Sequence, residues 1–394
     1  MVQFETTDVL IIGAGPAGIS TALHLAQLNA GWAKRMLVVD KAVHPREKLC
    51  GGGVTQTGLA ILNALGLEFP AQHIPIREVW FQFGKIVHAI HGDPVFRVMH
   101  RAAFDHWLVR AAEARGIAVR QGEAVTGVQP TEDSVRVDTQ KGTILARTVV
   151  IADGSNSFVR RKLGWTHPAE HPPLARLLEV ISPEPADHPL FARNIAVFDF
   201  SVQRAGVQGY VWDFPSVRRG QTMMNRGVFD SRIRTERPRA PLKTVLAQAF
   251  SRRRRTLAAE TIQGYPIRRF DAAQVLSRPR MLLAGDAAGA DPFVGEGISF
   301  ALGYGRVAAQ AIDAAFARND FSFADYGRQV VTDPLLSQLP ARVKLARMLY
   351  RIKSPRLLGM LWRMFPQIVW FYRHTNRNIA PFSAGDITRV EPQW

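Results

Sequence analysis

The sequence predicts an α/β protein with a Rossmann-like domain, an inserted and mostly antiparallel β-sheet, and a C-terminal helical region. Three sequence patterns along the chain support this prediction. Short apolar runs alternate with helical periods in the N-terminal part, as they do in βαβ units. Residues 167–261 are rich in proline, aromatic residues and β-forming stretches, and the chain turns helical, basic and aromatic after residue 326.

The first βαβ unit is the clearest local element. DVLIIGAG (8–15) predicts a buried strand, PAGISTALHLAQLNAG (16–31) a helix that ends at glycine, and RMLVVD (35–40) a second strand. The later elements of this domain are a helix, two strands that end in glycine turns, and a long helix, predicted at 101–116, 148–154, 280–289 and 298–316.

Composition limits the classes of function. The 394 residues include one cysteine, Cys50, which excludes an internal disulfide and fits a reducing, cytoplasmic compartment. No signal peptide and no run of 18 uncharged apolar residues is present. The net charge of +17 predicts an anionic partner. The run SRRRRT (251–256) fits a solvated helix face better than a nucleic-acid site, because no nucleic-acid-binding motif accompanies it.

The segment GAGPAG predicts a dinucleotide site. Gly13 allows a tight turn, Gly15 lets the backbone approach a pyrophosphate, and Gly18 lets the helix pack on the strand. Pro16 suits the first helical turn, where its missing N–H costs nothing. Asp40 ends the second strand 22 residues after Gly18, where an acid accepts hydrogen bonds from a ribose diol.

Three later stretches resemble FAD signatures of the aromatic-hydroxylase type of flavoprotein: RAAFD (101–105), IADGSNSFVRR (151–161) and GDAAGADPFVGEGI (285–298). The resemblance covers residues 8–325 and implies FAD as the cofactor. It implies that Arg101 reaches the phosphate and sugar region of FAD. No second GxGxxG motif is present, so an external reductant, NADPH or reduced ferredoxin, is expected to dock transiently.

The same resemblance assigns further roles around the flavin. Asp153 and Arg160 would shape the pyrophosphate and reductant-docking surface, and Asp286 would bind the ribityl chain. Gly295 and Gly297 would bring backbone amides against the isoalloxazine ring. The cofactor-binding candidates are Gly13, Gly15, Ala17, Gly18, Asp40, Cys50, Gly51, Arg101, Asp153, Asp286, Gly295, Gly297 and Ile298.

Two further stretches, LCGGG (49–53) and GYVWDFPSVRRG (209–220), resemble the paired LCGGG and YxWxFP motifs of the geranylgeranyl reductase family. Those flavoenzymes saturate carbon–carbon double bonds of prenyl chains. The resemblance implies hydride transfer from reduced flavin together with protonation. It also implies a prenyl-containing lipid or diphosphate as the substrate.

The spacing of the aromatic residues fits this substrate. On a strand, Tyr210, Trp212 and Phe214 point to one face, while Val211 and Asp213 point to the other. Such a stripe either walls an apolar tunnel or fills the core of the inserted sheet, and the LCGGG motif favours the first interpretation. Tyr210, Trp212 and Phe214 are therefore substrate-binding candidates. Tyr210 and Trp212 are also catalytic candidates, since an aromatic face stabilises a developing cation.

Cys50 is the third catalytic candidate. A thiol is a weak acid for an unactivated alkene. The roles considered are, in order, shaping or gating of the flavin loop, proton relay or redox partner, and covalent catalysis.

The expected FAD-binding domain comprises 1–72, 93–166 and 262–325, and the expected substrate-binding β domain comprises 73–92 and 167–261. Residues 326–394 are expected to be helical. Their aromatic and basic composition suits either a peripheral segment on an anionic membrane or core helices against the substrate domain.

Two other functions stay open from the sequence. One is an FAD-dependent monooxygenase or halogenase that acts on an apolar or aromatic compound. The other is a flavin-binding interaction protein that contacts nucleic acid through its basic surface.

Overall fold

The computed structural model describes residues 4–165, 174–258, 260–367 and 387–390. In chain order its strands are β1 (Glu5–Ile12), β2 (Met36–Asp40), β3 (Gly53–Thr55), β4 (Ile74–Phe83), β5 (Ile86–Val98), β6 (Ala118–Gln121), β7 (Val125–Pro130), β8 (Val135–Thr139), β9 (Gly142–Ile151), β10 (Leu174–Pro183), β11 (Ile195–Asp199), β12 (Gly209–Arg218), β13 (Gln221–Asp230), β14 (Gln263–Arg268), β15 (Ser277–Arg278), β16 (Met281–Leu283) and β17 (Ile387–Arg389). Its α-helices are α1 (Pro16–Leu28), α2 (Gln56–Ala64), α3 (Arg101–Ala114), α4 (Phe158–Lys162), α5 (Pro189–Ala192), α6 (Leu242–Arg252), α7 (Ile298–Arg318), α8 (Tyr326–Thr332), α9 (Gln338–Leu349) and α10 (Pro355–Arg363).

The first sheet contains the predicted βαβ unit. Its strand order is β15-β16-β9-β1-β2-β6, and β8 and β7 extend it beside β9. The strands β16, β9, β1, β2 and β6 run parallel to one another, whereas β15, β8 and β7 join the sheet by antiparallel pairing. The carboxyl ends of β1, β2, β9 and β16 therefore meet at one edge, which is where open parallel sheets bind ligands.

Helices α1 and α7 pack closely against each other beside this sheet. A Cβ atom at Gly305 of α7 would lie 2.5 Å from Cβ of Ser20 on α1. The Ser20 hydroxyl donates to the carbonyl of Leu302 at 2.7 Å. The close approach fixes the start of α7 next to the turn between β1 and α1.

The second sheet has the order β14-β10-β13-β12-β11-β4-β5-β17, with β3 paired to β5. Its neighbours are antiparallel except for β4 and β11, which are parallel. Helix α6 covers one face, where Phe250 packs with Val211. The opposite face carries an aromatic cluster that includes Tyr210, Trp212 and Phe214. The predicted α/β fold class, with its inserted and mostly antiparallel sheet, is confirmed.

The strands place three segments of the expected FAD-binding domain in the second sheet. Residues 53–55 form β3, residues 93–98 complete β5, and residues 263–268 form β14. Composition does not mark these positions, because the pairing partners and not the local residues decide where a strand ends. The expected boundary at 166/167 lies outside the described residues, and the division into domains stays a prediction.

The described part of the C-terminal region is mainly helical and returns to the second sheet. Leu358 and Trp362 of α10 are buried in the aromatic cluster. Residues 387–389 form β17 on the edge of β5, a strand that the sequence did not indicate. Residues 368–386 and 391–394 lie outside the described ranges. Among the helices that are described, none combines the length and apolar character needed to cross a bilayer.

Candidate active site

A cavity of about 800 Å³ lies between the carboxyl edge of the first sheet and the aromatic face of the second. Its lining comes from the β1–α1 turn, the end of β2, the loop 48–54, the turn after β9, the segment before α7, and β12. Every cofactor-binding, substrate-binding and catalytic candidate named above except Gly18 lines this one cavity. The two sheets thus bring together residues that are distant in the sequence.

The β1–α1 turn has the geometry that its glycines predict. Gly13 has φ +110°, and a Cβ there would lie 2.4 Å from the carbonyl oxygen of Ala152. A Cβ at Gly18 would lie 1.9 Å from the carbonyl oxygen of Gly13, so Gly18 serves helix packing and not the lining. Helix α1 begins at Pro16, and its first turn faces the cavity. Free N–H groups at such a helix start attract a pyrophosphate.

Asp40, at the end of the neighbouring strand β2, holds the β1–α1 turn through hydrogen bonds. It is 8% exposed, and its carboxylate accepts hydrogen bonds from Ala14 N–H at 2.7 Å and from Ala42 N–H at 2.8 Å. A carboxylate has about four acceptor positions, so this clamp leaves acceptor capacity toward the cavity. The sequence predicted a sugar contact here; the structure adds a role in holding the β1–α1 turn.

Arg101 is held in place by a fully buried acid. Its guanidinium donates to both carboxylate oxygens of Asp105, each at 2.8 Å, and Arg46 approaches the same acid at 3.3 Å. Burial acts to lower the pKa of Arg101, but Asp105 and Cys50 outweigh burial and raise it. The cavity therefore keeps a permanent positive charge beside Cys50.

Asp153 and Arg160, for which the sequence predicts one shared role, lie in different surroundings after β9. Asp153 lines the cavity, and its Oδ2 accepts from Val159 N–H at 3.2 Å. Arg160 is 3% exposed and donates to the carbonyls of Ala287 at 2.6 Å and Trp165 at 3.1 Å. The expectation that Arg160 shapes a docking surface is therefore wrong, because its guanidinium is used to tie loops together inside the protein.

Lys48 lies opposite Asp286 at the cavity and was not singled out from the sequence. Its ammonium group lies 3.3 Å from the centre of the Tyr265 ring. Burial lowers the pKa of Lys48 to about 8, although Asp286 acts to raise it. Asp286 also accepts a hydrogen bond from the Ser155 hydroxyl at 3.1 Å. Lys48 and Asp286 thus place a positive and a negative group at the cavity.

The segment before α7 contributes backbone to the lining. Gly295 has φ +69° and lies against the ring of Phe229. A Cβ at Gly297 would lie 3.7 Å from Asp286 Oδ1, and Ile298 begins α7. The chain therefore presents main-chain atoms next to Asp286.

The loop 48–54 passes between the two sheets. Cys50 is half-buried, and its Sγ accepts a hydrogen bond from Gly52 N–H at 3.4 Å. A Cβ at Gly51 would lie 2.9 Å from the ring of Phe214. Gly52 has φ +76°, and Gly53 begins β3. Gly51 and Gly52 thus each meet a separate requirement of shape.

The aromatic stripe is placed as its spacing predicts. Tyr210, Trp212 and Phe214 are 3–6% exposed and line the cavity from one face of β12. Tyr210 donates its hydroxyl to the carbonyl of Val294. Asp213, on the opposite face, pairs with arginines. The stripe is both core and cavity wall, so the two interpretations of the sequence are compatible.

Two polar residues behind the stripe escaped sequence analysis. Asn225 accepts a hydrogen bond from Trp212 Nε1 at 2.8 Å and donates to the carbonyl of Cys50 at 3.0 Å. Glu179 is 2% exposed in an otherwise apolar stretch of β10. An acid inside an apolar strand was an available signal, since unpaired acids are rarely buried. The sequence around Asn225 contains no comparable indication that this residue lies at the site.

The lining fits a bound dinucleotide on structural grounds. The turn at Gly13 has no space for a side chain, and the start of α1 faces the cavity. Within the described residues, Asp153 Oδ1 is buried without a hydrogen-bond partner, which leaves one acceptor available to a ligand.

The family described as FAD binding domain matches residues 6–303. The chain belongs to this FAD-binding family. Menaquinone reductase of Mycolicibacterium smegmatis is 30% identical over 322 residues, which cover 77% of this chain and 75% of that protein. Digeranylgeranylglycerophospholipid reductase 1 of Methanothermobacter thermautotrophicus is 27% identical over 341 residues, covering 81% and 80%.

A solved structure shares the fold. The geranylgeranyl bacteriochlorophyll reductase-like protein of Thermoplasma acidophilum superposes with a TM-score of 0.75 at 22% identity, covering 97% of this chain and 94% of that chain. The predicted resemblance to geranylgeranyl reductases is confirmed. This FAD-binding chain is an FAD-dependent oxidoreductase of geranylgeranyl reductase-like type.

Proposed function

We propose that this oxidoreductase saturates carbon–carbon double bonds in the prenyl chain of a lipid. The observation that carries the proposal is the contact between the loop 49–53 and the aromatic strand β12, where Gly51 meets Phe214 and Asn225 joins Cys50 to Trp212. An apolar aromatic wall thus lies directly beside the loop that we expect to contact the flavin. The names of the two relatives support the same substrate class, because menaquinone and digeranylgeranylglycerophospholipid both carry isoprenoid chains.

The chain's own residues account for binding and orientation. The start of α1 and Arg101 provide positive potential for the FAD phosphates, and Asp40 offers acceptors to a ribose. When bound and reduced by the external donor, FAD would supply the hydride for the double bond. The face of Trp212 stabilises positive charge that builds on the alkene during protonation, by roughly 0.5–2 kcal/mol. The buried stripe also keeps water from this part of the cavity.

Cys50 is proposed to shape the loop and not to attack the substrate. Its carbonyl is held by Asn225, and its thiol lies against Arg101. We expect Cys50→Ala to change the absorbance spectrum of bound FAD and to slow alkene reduction. An unchanged spectrum together with an unchanged rate would remove every functional role for the thiol.

An anaerobic assay tests the proposed reaction. The holoprotein is reduced by light and mixed with a geranylgeranyl lipid without oxygen, and flavin reoxidation is followed by absorbance. We expect reoxidation and a product heavier by two hydrogens per bond in mass spectrometry. Strict dependence on oxygen would instead identify a monooxygenase or halogenase. Parallel assays with NADPH and with reduced ferredoxin identify the electron donor, both of which suit the positive charge of the chain.

A matched pair of variants tests the aromatic wall. Phe214 lines the cavity, whereas Phe83 belongs to the same aromatic cluster without lining it. Both Phe→Leu substitutions remove similar buried volume. We expect only Phe214→Leu to change KM or the preferred length of the prenyl chain. Equal effects of the two variants would argue against a substrate contact.

We also propose that α10 rests on an anionic membrane surface while the enzyme takes its lipid. Leu358 and Trp362 face inward, whereas Leu357, Met360 and Met364 are 41–50% exposed. The nearby chain carries basic residues, which complement acidic headgroups: Arg351, Lys353, Arg356 and Arg363.

Flotation with anionic liposomes at low salt tests this attachment. We expect the protein to float with the vesicles and the triple variant Leu357→Ser, Met360→Ser, Met364→Ser to float less. The control variant Val43→Ser, Val275→Ser removes exposed apolar residues elsewhere and is expected to float normally. Failure of the unmodified protein to float would overturn the proposal.

A further inference from the structure

Glu179 lies in a row of residues that crosses three strands at the cavity. It pairs with Gly227 of β13, and Gly227 pairs with Trp212 of β12. Residues directly opposite each other in antiparallel strands share a face of the sheet. Leu177, two residues before Glu179, lines the cavity from this same face, as Trp212 does. Glu179 therefore faces the same side of the sheet as Leu177 but is not itself part of the cavity lining.

The missing side chain of Gly227 brings the indole toward Glu179. A Cβ at Gly227 would lie 2.3 Å from both Cη2 and Cζ2 of Trp212. The six-membered ring of the indole thus covers Gly227 and extends across β13 toward β10. Glu179 and Trp212 therefore stand on the same face of the sheet, with Gly227 between them.

The carboxyl of Glu179 has nearby polar groups but no regular partner. Within the described residues, neither oxygen makes a hydrogen bond of normal geometry. The Asn225 amide and the main-chain N–H of Cys50 lie against it and favour the charged form, as do the positive charges of Arg101 and Lys48. Burial outweighs all four groups and raises the pKa of Glu179 to about 7.

Glu184, a second buried acid of the same region, differs from Glu179 in having ion-pair partners. Glu184, just beyond the end of β10, forms ion pairs with Arg226 at 2.6 Å and with Arg255. A buried acid without such a pair costs stability unless it stays neutral. Glu179 is therefore able to hold or release a proton beside the cavity, whereas the carboxylate of Glu184 is held in ion pairs.

We propose that Glu179 is the proton-holding residue of this site, taking up a proton as the cofactor in the cavity is reduced and releasing it as a double bond is saturated. The proposal rests on the proposed reductase function. The atoms and electrons balance as follows: two electrons and one proton reach the alkene as hydride from reduced FAD, the O–H bond of Glu179 breaks, and a proton passes through water in the cavity to the other carbon. The products are the saturated bond, oxidised FAD and the Glu179 carboxylate, which takes up a proton again when the cofactor is next reduced. Because Glu179 lies behind the lining and does not touch the substrate, it acts through this water as a positioning residue.

The first test needs no lipid substrate. The midpoint potential of bound FAD is measured against pH in the unmodified holoprotein, in Glu179→Gln and in Glu78→Gln. Glu78 is a suitable control because it is buried in the same sheet but is bonded to Trp80 and Arg193. We expect Glu179→Gln to take up fewer protons per two electrons near pH 7, and Glu78→Gln to match the unmodified protein. Identical slopes in all three would overturn the proposal.

Infrared spectroscopy gives a second, independent reading. The reduced-minus-oxidised difference spectrum is expected to show the C=O band of a newly protonated carboxyl group. This band should vanish in Glu179→Gln and shift in Glu179→Asp. The aspartate variant alone tests the assignment if the glutamine variant does not fold. A band that persists unchanged in the variants would overturn the assignment. Because both tests omit the lipid, a failed alkene assay with positive results here would reject only the reductase function.

Discussion

Replacing Glu179 by glutamine is expected to stabilise the folded protein above pH 7. The pKa of Glu179 rises from 4.5 to about 7 on folding, because burial disfavours its charge. Between these values the folded state keeps a proton that the unfolded chain has lost. The stability contributed by the neutral carboxyl is therefore fully present below pH 4.5 and is lost as the pH rises through 7.

The size of this stabilisation follows from the difference between the pKa values of Glu179 in the folded and unfolded states. A pKa difference of about 2.5 units corresponds to about 3 kcal/mol of unfolding free energy at pH 8. For a chain of this length that is a rise in Tm of about 4 °C. Glutamine has a similar shape and does not titrate, so the gain over the unmodified protein should grow between pH 4.5 and 8.

Thermal unfolding of the holoprotein at fixed FAD concentration, followed by circular dichroism at several pH values, measures this gain. Glu78→Gln is the control, because this buried acid of the same sheet accepts hydrogen bonds from Trp80 and Arg193. A Tm difference between Glu179→Gln and the unmodified protein that stays constant with pH would refute the reasoning.

The other predictions concern the neighbours of this acid. Gly227→Ala places a Cβ against Trp212 and should cost about 1–3 kcal/mol or more of stability while changing the near-UV circular dichroism. Asn225→Ala leaves the buried indole N–H of Trp212 and the carbonyl of Cys50 without their partner, so urea unfolding should show a loss of about 1–3 kcal/mol. Lys48→Met should remove any pH dependence of the bound-FAD spectrum near pH 8, because the pKa of Lys48 is about 8; an unchanged titration would show that another group controls it.

Local patterns predicted the parts of the site that depend on local geometry. The glycine turn, Asp40 and the alternation of Tyr210, Trp212 and Phe214 follow from the shape of a βα turn and from the two-residue period of a strand. The structure places them at one cavity for the same reasons. Their roles in binding stay predictions.

Residues whose position depends on pairing between distant strands could not be predicted in this way. Glu179 approaches Trp212 only because β10 and β12 both pair with β13 in one register. Asn225 meets Cys50 across 175 positions of sequence. For Arg160 the motif placed the backbone at the site, but the local hydrogen bonds turn its side chain into the protein interior.

Two of the three glycines after Cys50 are explained by close approach and backbone conformation. Gly51 lets the ring of Phe214 reach the loop, and Gly52 takes a left-handed conformation. Gly53 starts a strand of the second sheet. These requirements fix the loop against the aromatic strand. The LCGGG and YxWxFP motifs, although about 160 residues apart, therefore form one contact surface. A substitution in either motif should disturb the other, and the thiol of Cys50 is placed at the cavity by this contact.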